Sequence, residues 1–461
     1  MAGDLGEAPQ LPGELGPFVG SEVGAAASLV LAPVVAEPGE LVGALLGEAD
    51  EDAAFVLGGA AASHDALVLQ LLEHAGGGAE ALFPRLARDW PPGTWRAIWP
   101  EARRLPLRRP TLRRGASPSG YGGVMASMSK PELRPVAWRP PPRPGPAGGD
   151  RVPVSAPRLL PLGGTGPEHV VVDTAGRLLT GVADGRILRV DPETGEVTTV
   201  ADTGGRPLGL QLQPDGRLLV CDARAGLLRV VPETGETEVL LRSAGGEPLG
   251  FCSNVVVTRD GTIYVSDASR RFGIDHWLGD LLEHSGTGRL IRIAPGAVEP
   301  EVVLDGLYFA NGLALPADES FVTVAETGAY RLTRLWLTGP RAGHRDTFLE
   351  DLPGFPDNLT TGPGGLIWIA YAAPRDPLMD WLHRTPPVLR RALWKLPESM
   401  RPGPRRTLRV TAVDSAGRTA HDLRWPRARY RTATSACEHG GRLYLGSLVE
   451  DAIAVLELPE R

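Results

Sequence analysis

The sequence predicts an all-β fold: a six-bladed β-propeller with short helical insertions over the mouth of its tunnel, preceded by a low-complexity N-terminal segment. Three observations carry this expectation. A pair of hairpins recurs roughly every forty to fifty residues from residue 160 onward. The chain of 461 residues holds 58 Gly and 44 Pro, a turn density that suits short strands better than long helices. Finally, polar residues of one chemical kind fall at the same place in successive repeats.

Taken in order, residues 1–127 are rich in Ala, Gly, Leu and Pro and contain no lysine. Residues 63–75 and 83–99 have helical character, and paired arginines from Arg103 to Arg114 are broken by Pro106 and Pro110. This stretch reads as low-complexity material, either disordered or upstream sequence wrongly included ahead of a start at Met128. Residues 128–150 read as a Pro/Gly-rich linker and residues 151–461 as the propeller. The run Val152–Leu160 is expected to add a strand to the last blade and so remove a free sheet edge.

The repeat is clearest in GRILRVDPETGEVTTV, from Gly185, against GLLRVVPETGETEVLL, from Gly226. Each is strand, P-E-T-G-E turn, strand, with glycine supplying the positive φ of a tight hairpin. Further copies begin at Gly288, Tyr330, Leu408 and Asp451, which makes six. Ahead of each lies a second hairpin, such as NVVVTRDGTIYVSD or NGLALPADESFVTVAE. Four strands per unit in six units is the arithmetic of propeller blades; a sandwich does not explain it.

The first strand of each blade lines the central channel, so the residues that begin these strands converge on the axis. In order they are Glu168, Gly209, Asn254, Asn311, the pair Asp357–Asn358, and Thr434–Ser435. Two carboxylates and three carboxamides, with no thiolate or imidazole, suit a hard divalent cation, Ca²⁺ or Mg²⁺. Such an ion would also let Glu168 and Asp357 be buried side by side without protonation.

The whole of residues 155–461 resembles the strictosidine-synthase-like branch of the calcium-dependent propellers that include gluconolactonase/regucalcin and paraoxonase. The resemblance is strongest over Tyr308–Gly339 and Gly354–Ala370. In the lactonase members a Glu from the first blade, Asn residues from middle blades and an Asp-Asn pair hold calcium in the tunnel. The resemblance places these roles on Glu168, Asn254, Asn311, Asp357 and Asn358. One position departs: plant strictosidine synthases carry a catalytic glutamate just ahead of the last tunnel strand, where this chain has Thr434, with Glu438 four residues on.

Two repeats are longer than the rest. In Arg270–Gly288, residues Ile274, Trp277, Leu278, Leu281 and Leu282 lie at helical spacing; Pro374–Pro402 reads as two amphipathic helices split at Pro386–Pro387. These are expected to cap the ion and favour an apolar substrate. His276, His284 and His383 in the insertions are candidate proton carriers, although each taken singly reads first as a surface or packing histidine. Trp381 and Trp394, beside Arg390–Arg391, offer an alternative contact with a membrane surface.

The function expected is therefore a calcium-dependent hydrolase of a small apolar lactone or ester, with Asp357 as catalytic base. The alternatives are a binding propeller with a structural calcium and a C–N or C–C bond-forming enzyme. No G-x-S-x-G or H-E-x-x-H motif supports a serine or zinc route. A net charge of −7 argues against nucleic acid as a partner. Without an apolar run of membrane length or a signal peptide, and with three scattered cysteines that read as reduced thiols, the chain is expected to be cytoplasmic.

Overall fold

The computed structural model describes residues 130–143, 156–397, 407–425 and 429–458. The two helical stretches expected before residue 128 lie outside them. Six four-stranded antiparallel sheets account for nearly all the strands. Their innermost strands are Val170–Val172, Pro207–Leu212, Cys252–Val257, Ala310–Ala314, Gly354–Thr361 and Ala433–His439. Each touches the next in order and the first touches the sixth, so the blades close into a ring.

Blades 1 to 5 are simple meanders, each strand pairing with the one that precedes it. Blade 6 is composite. Its three C-terminal strands are completed by Arg158–Pro161, which pairs antiparallel with Ala452–Glu457. The expected closing strand is therefore present, and within the described residues it starts at Arg158. The blades stick to one another through apolar faces; Leu188, Val190, Leu228, Ile291, Val324, Ile369 and Ile453 are each at most 1 % exposed. At roughly 25 cal/mol per Å² of apolar surface, these inter-blade layers are the main favourable contribution to the fold.

A second device recurs at the strand ends of three blades. Blades 2, 3 and 4 end their second strand in an acidic residue: Asp222, Asp267 and Glu326. Asp267 accepts from the backbone amides of Gly250 and Phe251, and Glu326 from that of Tyr308. Asp222 instead ties down its own turn through Arg224 and Ala225 amides and the Thr203 hydroxyl. Asp267 is itself paired with Arg289 at 2.9 Å, both side chains being at most 2 % exposed. Arg289 goes on to donate to the carbonyls of Ala244 and Pro248, pinning the small hairpin that joins blades 2 and 3.

Both long insertions lie between second and third strands, which places them at the end of the ring where the innermost strands begin. The first is a 3₁₀ turn at Ile274–His276 running into α1, Trp277–Glu283. The second gives α2, Pro377–Arg384, capped by the Asp376 carboxylate on the Leu378 and Met379 amides, and α3, Pro387–Lys395. Proline at the first position of both helices sets the break between them, as the sequence implied.

The stretch read as a linker does more than span. Residues 130–143 run across α1, α2 and α3 as an irregular strap. The Val136 amide donates to the Glu283 carbonyl and the Arg134 amide to its side chain. Arg271, Arg375, Arg384 and Arg390 donate to strap carbonyls at Glu132, Pro141, Pro140 and Val136. Leu133 is buried against Phe272, Leu282 and Trp394.

All three cysteines are free, with Cys221 and Cys252 in the apolar layer between blades 2 and 3. Among the described residues no helix is long and apolar enough to cross a membrane.

Candidate metal centre at the tunnel mouth

Glu168, Asn254, Asn311, Asp357 and Asn358 meet in one buried network, although they come from four different blades. Asn358 is its hinge: its amide Nδ2 donates to Glu168 Oε1 at 2.8 Å, and its Oδ1 accepts from Asn254 Nδ2 at 2.6 Å. Asn311 Nδ2 donates to Asp357 Oδ1 at 2.9 Å. Asn254 and Asn358 are wholly buried, Glu168 and Asn311 nearly so, and Asp357, at 8 %, is the most exposed of the five.

Local backbone irregularity aims these side chains. The pairing of the innermost strand slips at Cys252/Asn254, at Ala310/Leu313 and at Pro356/Leu359, so Asn254, Asn311, Asp357 and Asn358 each sit in or beside a bulge, while Glu168 lies in the loop just ahead of its strand. Blades 2 and 6 slip at the same level, around Gly209 and Thr434. A bulge turns the local side chain out of the alternating pattern of the strand, here toward the axis. Gly209 and Gly312 then let neighbouring strands come together. A Cβ at Gly209 would fall 2.6 Å from the Asn254 Cα, and one at Gly312 2.4 Å from the Asp357 carbonyl oxygen and 2.5 Å from the Asn358 Cα. Gly312→Ala is therefore expected to destabilise the protein by about 1–3 kcal/mol or more, because backbone must move. Chemical denaturation would read this directly, and Gly365→Ala, whose Cβ meets only the Ala317 methyl at 3.5 Å, allows comparison with a site governed by φ alone.

The sequence reading missed several supporting groups. Ser253 donates to Asn311 Oδ1 at 3.0 Å, and the Thr327 hydroxyl accepts from Asn311 while donating to the Pro356 carbonyl. Arg206 is buried, donates to the Gly166 carbonyl, and lowers the cost of charge on Glu168. Ser253 lies inside the F-C-S-N motif and could have been found there; Arg206 and Thr327 carry no local signal.

Thr434, standing where the resemblance calls for a glutamate, donates its hydroxyl to the Glu168 backbone carbonyl at 2.6 Å. Glu438 accepts from the Trp368 indole at 2.8 Å, about 13 Å further along the strand from Thr434. Neither supplies an acid or base at the mouth.

Burial pushes the Glu168 carboxyl up to about 7, against the opposing pull of Asn358 and Arg206. Asp357 is raised by burial first and by the nearby Glu168 second. Two buried oxygens of the cluster, Glu168 Oε2 and Asn254 Oδ1, have no hydrogen-bond partner. An all-oxygen donor set with two strained carboxyls and two orphaned acceptors fits a hard divalent cation. Among the described residues no group of three His, Cys, Asp or Glu side chains is placed to hold a metal; the amides make this set.

Around the mouth, Leu208, Phe251, Phe309 and Phe355 precede the axial residues by one to three positions and belong to one apolar cluster with Leu281. Trp138, Ile274 and Met379 from the strap and insertions pack onto it. The three histidines are not arranged as proton carriers. His284, held at φ +55°, is sandwiched between Trp138 at 3.8 Å and Tyr308 at 4.2 Å, and burial drives it down to about 2. His383 is lowered to about 3 by burial and by Arg390, and His276 lies edge-on to Trp394. Trp394 and Arg390 are buried, which removes them from the proposed membrane contact.

Comparison with known proteins bears on this arrangement. The family model described as Strictosidine synthase matches residues 254–340, and that described as Strictosidine synthase-like, N-terminal, matches residues 155–190. The adipocyte plasma membrane-associated protein of Rattus norvegicus is 36% identical over 318 residues, 64% of this chain and 83% of that protein. The chain belongs to the strictosidine-synthase-like family. Strictosidine synthase-like 13 of Arabidopsis thaliana is 31% identical over 327 residues, 64% of this chain and 78% of its own length. Among solved structures, a gluconolactonase from Xanthomonas campestris is similar with a TM-score of 0.47 and 21% identity, covering 69% of this chain and 100% of that one. A regucalcin from Agrobacterium tumefaciens gives 0.46 and 14%, covering 66% and 94%. The two segments that match the strictosidine-synthase-like family include Glu168, Asn254 and Asn311, while Asp357–Asn358 lie C-terminal to both.

Proposed function

We propose that this strictosidine-synthase-like propeller is a calcium-dependent hydrolase of a small apolar lactone or ester. The observation that carries the reading is the interlocked set Glu168, Asn254, Asn311, Asp357 and Asn358, with its two orphaned oxygens. These five would hold the ion. When bound, calcium supplies positive charge that polarises an ester carbonyl and stabilises the oxyanion that develops there.

The chain's own groups account for the rest. Asp357 is the axial carboxylate most open to the mouth, a position that suits a base taking a proton from attacking water. Asn311 holds one of its oxygens and fixes its direction. Phe251, Phe309 and Phe355 surround the entrance with apolar surface that favours the hydrophobic part of a substrate and excludes bulk water. The test is hydrolysis of a panel of small lactones and aryl esters with calcium and with chelator. Calcium-dependent turnover supports the proposal; no turnover, with a melting temperature that still falls on chelation, supports a binding propeller with a structural ion.

The metal reading also makes a prediction about stability. An acid whose folded pKa exceeds its unfolded value stabilises the fold fully below the unfolded pKa, and that contribution is lost as pH rises through the folded one. For Glu168 the window runs from 4.5 to about 7, which corresponds to roughly 3 kcal/mol, with Asp357 adding in the same direction. A cation that favours both ionised carboxylates removes this loss. Denaturation curves with calcium and with chelator should therefore diverge as pH rises across that window. Parallel curves would mean that no cation sits at Glu168 and Asp357. Asp280, also raised to about 7 by burial, affects both curves alike and drops out of the difference.

A further inference from the structure

Among the described residues two arginines are fully buried, in contrasting situations. Arg289 faces the Asp267 carboxylate. Arg390, 0 % exposed on α3, faces none among the described residues. Its Nη1 donates to the carbonyls of Val136 and Leu282 and contacts His383 Nδ1 at 3.2 Å, its Nη2 donates to Val136, and its Nε has no partner. Neutral acceptors satisfy most of its hydrogens but do not neutralise its charge, and an uncompensated buried charge is costly. Burial accordingly lowers its pKa, and the neighbouring Arg391 lowers it further.

Arg390 lies at the wall of a cavity of about 430 Å³ between the strap and the α2–α3 turn. Arg139 and Arg384 line the same cavity, together with Trp138, His383 and Thr385, and no carboxylate does. Pro387, the first residue of α3, also borders it, and the N-cap of that helix, Pro386, has no side chain to offer its amides. The positive end of the helix therefore adds to the three guanidinium groups. Three cations concentrated on one cavity stand out in a chain whose net charge is −7.

We infer that this cavity is an oxyanion site, built for a phosphate group, which ties the strap to the cap helices; Arg139 and Arg384 offer the N–H donors, and buried Arg390 adds positive charge from behind the wall. It is separate from the tunnel and does not depend on the chemistry proposed there. Guanidinium groups match a tetrahedral oxyanion with paired N–H donors, and the anion supplies the countercharge that Arg390 lacks. The phosphate can be free or carried by a lipid headgroup.

The test compares the wild-type chain with Arg139→Gln/Arg384→Gln, which alters two exposed side chains and leaves buried Arg390 in place. Thermal unfolding is followed during titration with inorganic phosphate against sodium chloride of equal ionic strength, and flotation with vesicles of phosphatidylcholine alone or mixed with phosphatidylglycerol. A saturable rise of about 2–4 °C in the wild type, absent from the double variant, is expected for a free phosphate at tenfold its dissociation constant. Flotation with phosphatidylglycerol vesicles only, lost in the variant, would assign the phosphate to a lipid. An equal rise in both proteins would be the general salting effect of phosphate, and this outcome, or no response in either arm, would overturn the inference.

Discussion

Asp357→Asn is expected to lower hydrolytic turnover on the order of 10²–10⁴-fold at saturating calcium, with the propeller intact. The substitution keeps the shape of the side chain and its contact with Asn311 but removes the basic oxygen. It also relieves the burial of a second carboxyl beside Glu168, so the metal-free variant should be no less stable than the wild type. Because Asp357 is at once a proposed ligand and the proposed base, calcium must be titrated by its effect on melting in the same experiment. Loss of turnover with calcium still bound assigns Asp357 to the chemistry. Full turnover at saturating calcium would remove it from that role, and Glu168, which is deeper in the network, would not replace it.

Arg289→Met is expected to cost about 3–5 kcal/mol of stability, measured by urea unfolding. It strips the fully buried Asp267 carboxylate of its partner, and frees the carbonyls of Ala244 and Pro248. Its effect reaches the tunnel, since Asp267 holds the Phe251 amide three residues ahead of Asn254. Combining Arg289→Met with Asp267→Leu should recover part of the loss, because a pair replaced by apolar groups leaves no buried charge behind. A single variant as stable as the wild type would show that the ion pair is dispensable.

The ring and the five axial residues were legible because both are periodic. A hairpin signal repeated six times specifies blades, and a residue at the same phase of each repeat must point at the same axis. The helices of the cap were legible from apolar spacing and from the break at Pro386–Pro387. The bulges were not, since a slipped pairing depends on both strands and neither Asn254 nor Asp357 announces it. The strap was misread as a linker for a physical reason. Proline cannot donate to a helix or sheet, so W-R-P-P-P-R looks like a spacer; yet every proline keeps its carbonyl. The partners of those carbonyls, Arg375 and Arg384, lie more than two hundred residues away. The proton-carrier alternative for the histidines was open because sequence does not give their surroundings; stacking between Trp138 and Tyr308 makes His284 an aromatic spacer, in line with the packing reading.

The composite sixth blade has a consequence for how the ring comes apart. Among the described residues, the strand pairing that fastens the beginning of the propeller to its end is that of four residues, Arg158 to Pro161, with Val455, Ala454, Ile453 and Ala452, supplemented by the Leu162 amide on the Asp451 carbonyl and the Thr434 hydroxyl on the Glu168 carbonyl. Every other blade is a local meander that can reform by itself. Unfolding is therefore expected to begin at this seam, because its parting exposes an edge from which the blades can splay in sequence. The lifetime of the folded ring, as distinct from its equilibrium stability, is governed by this short splice, which makes the start of the domain a kinetic latch.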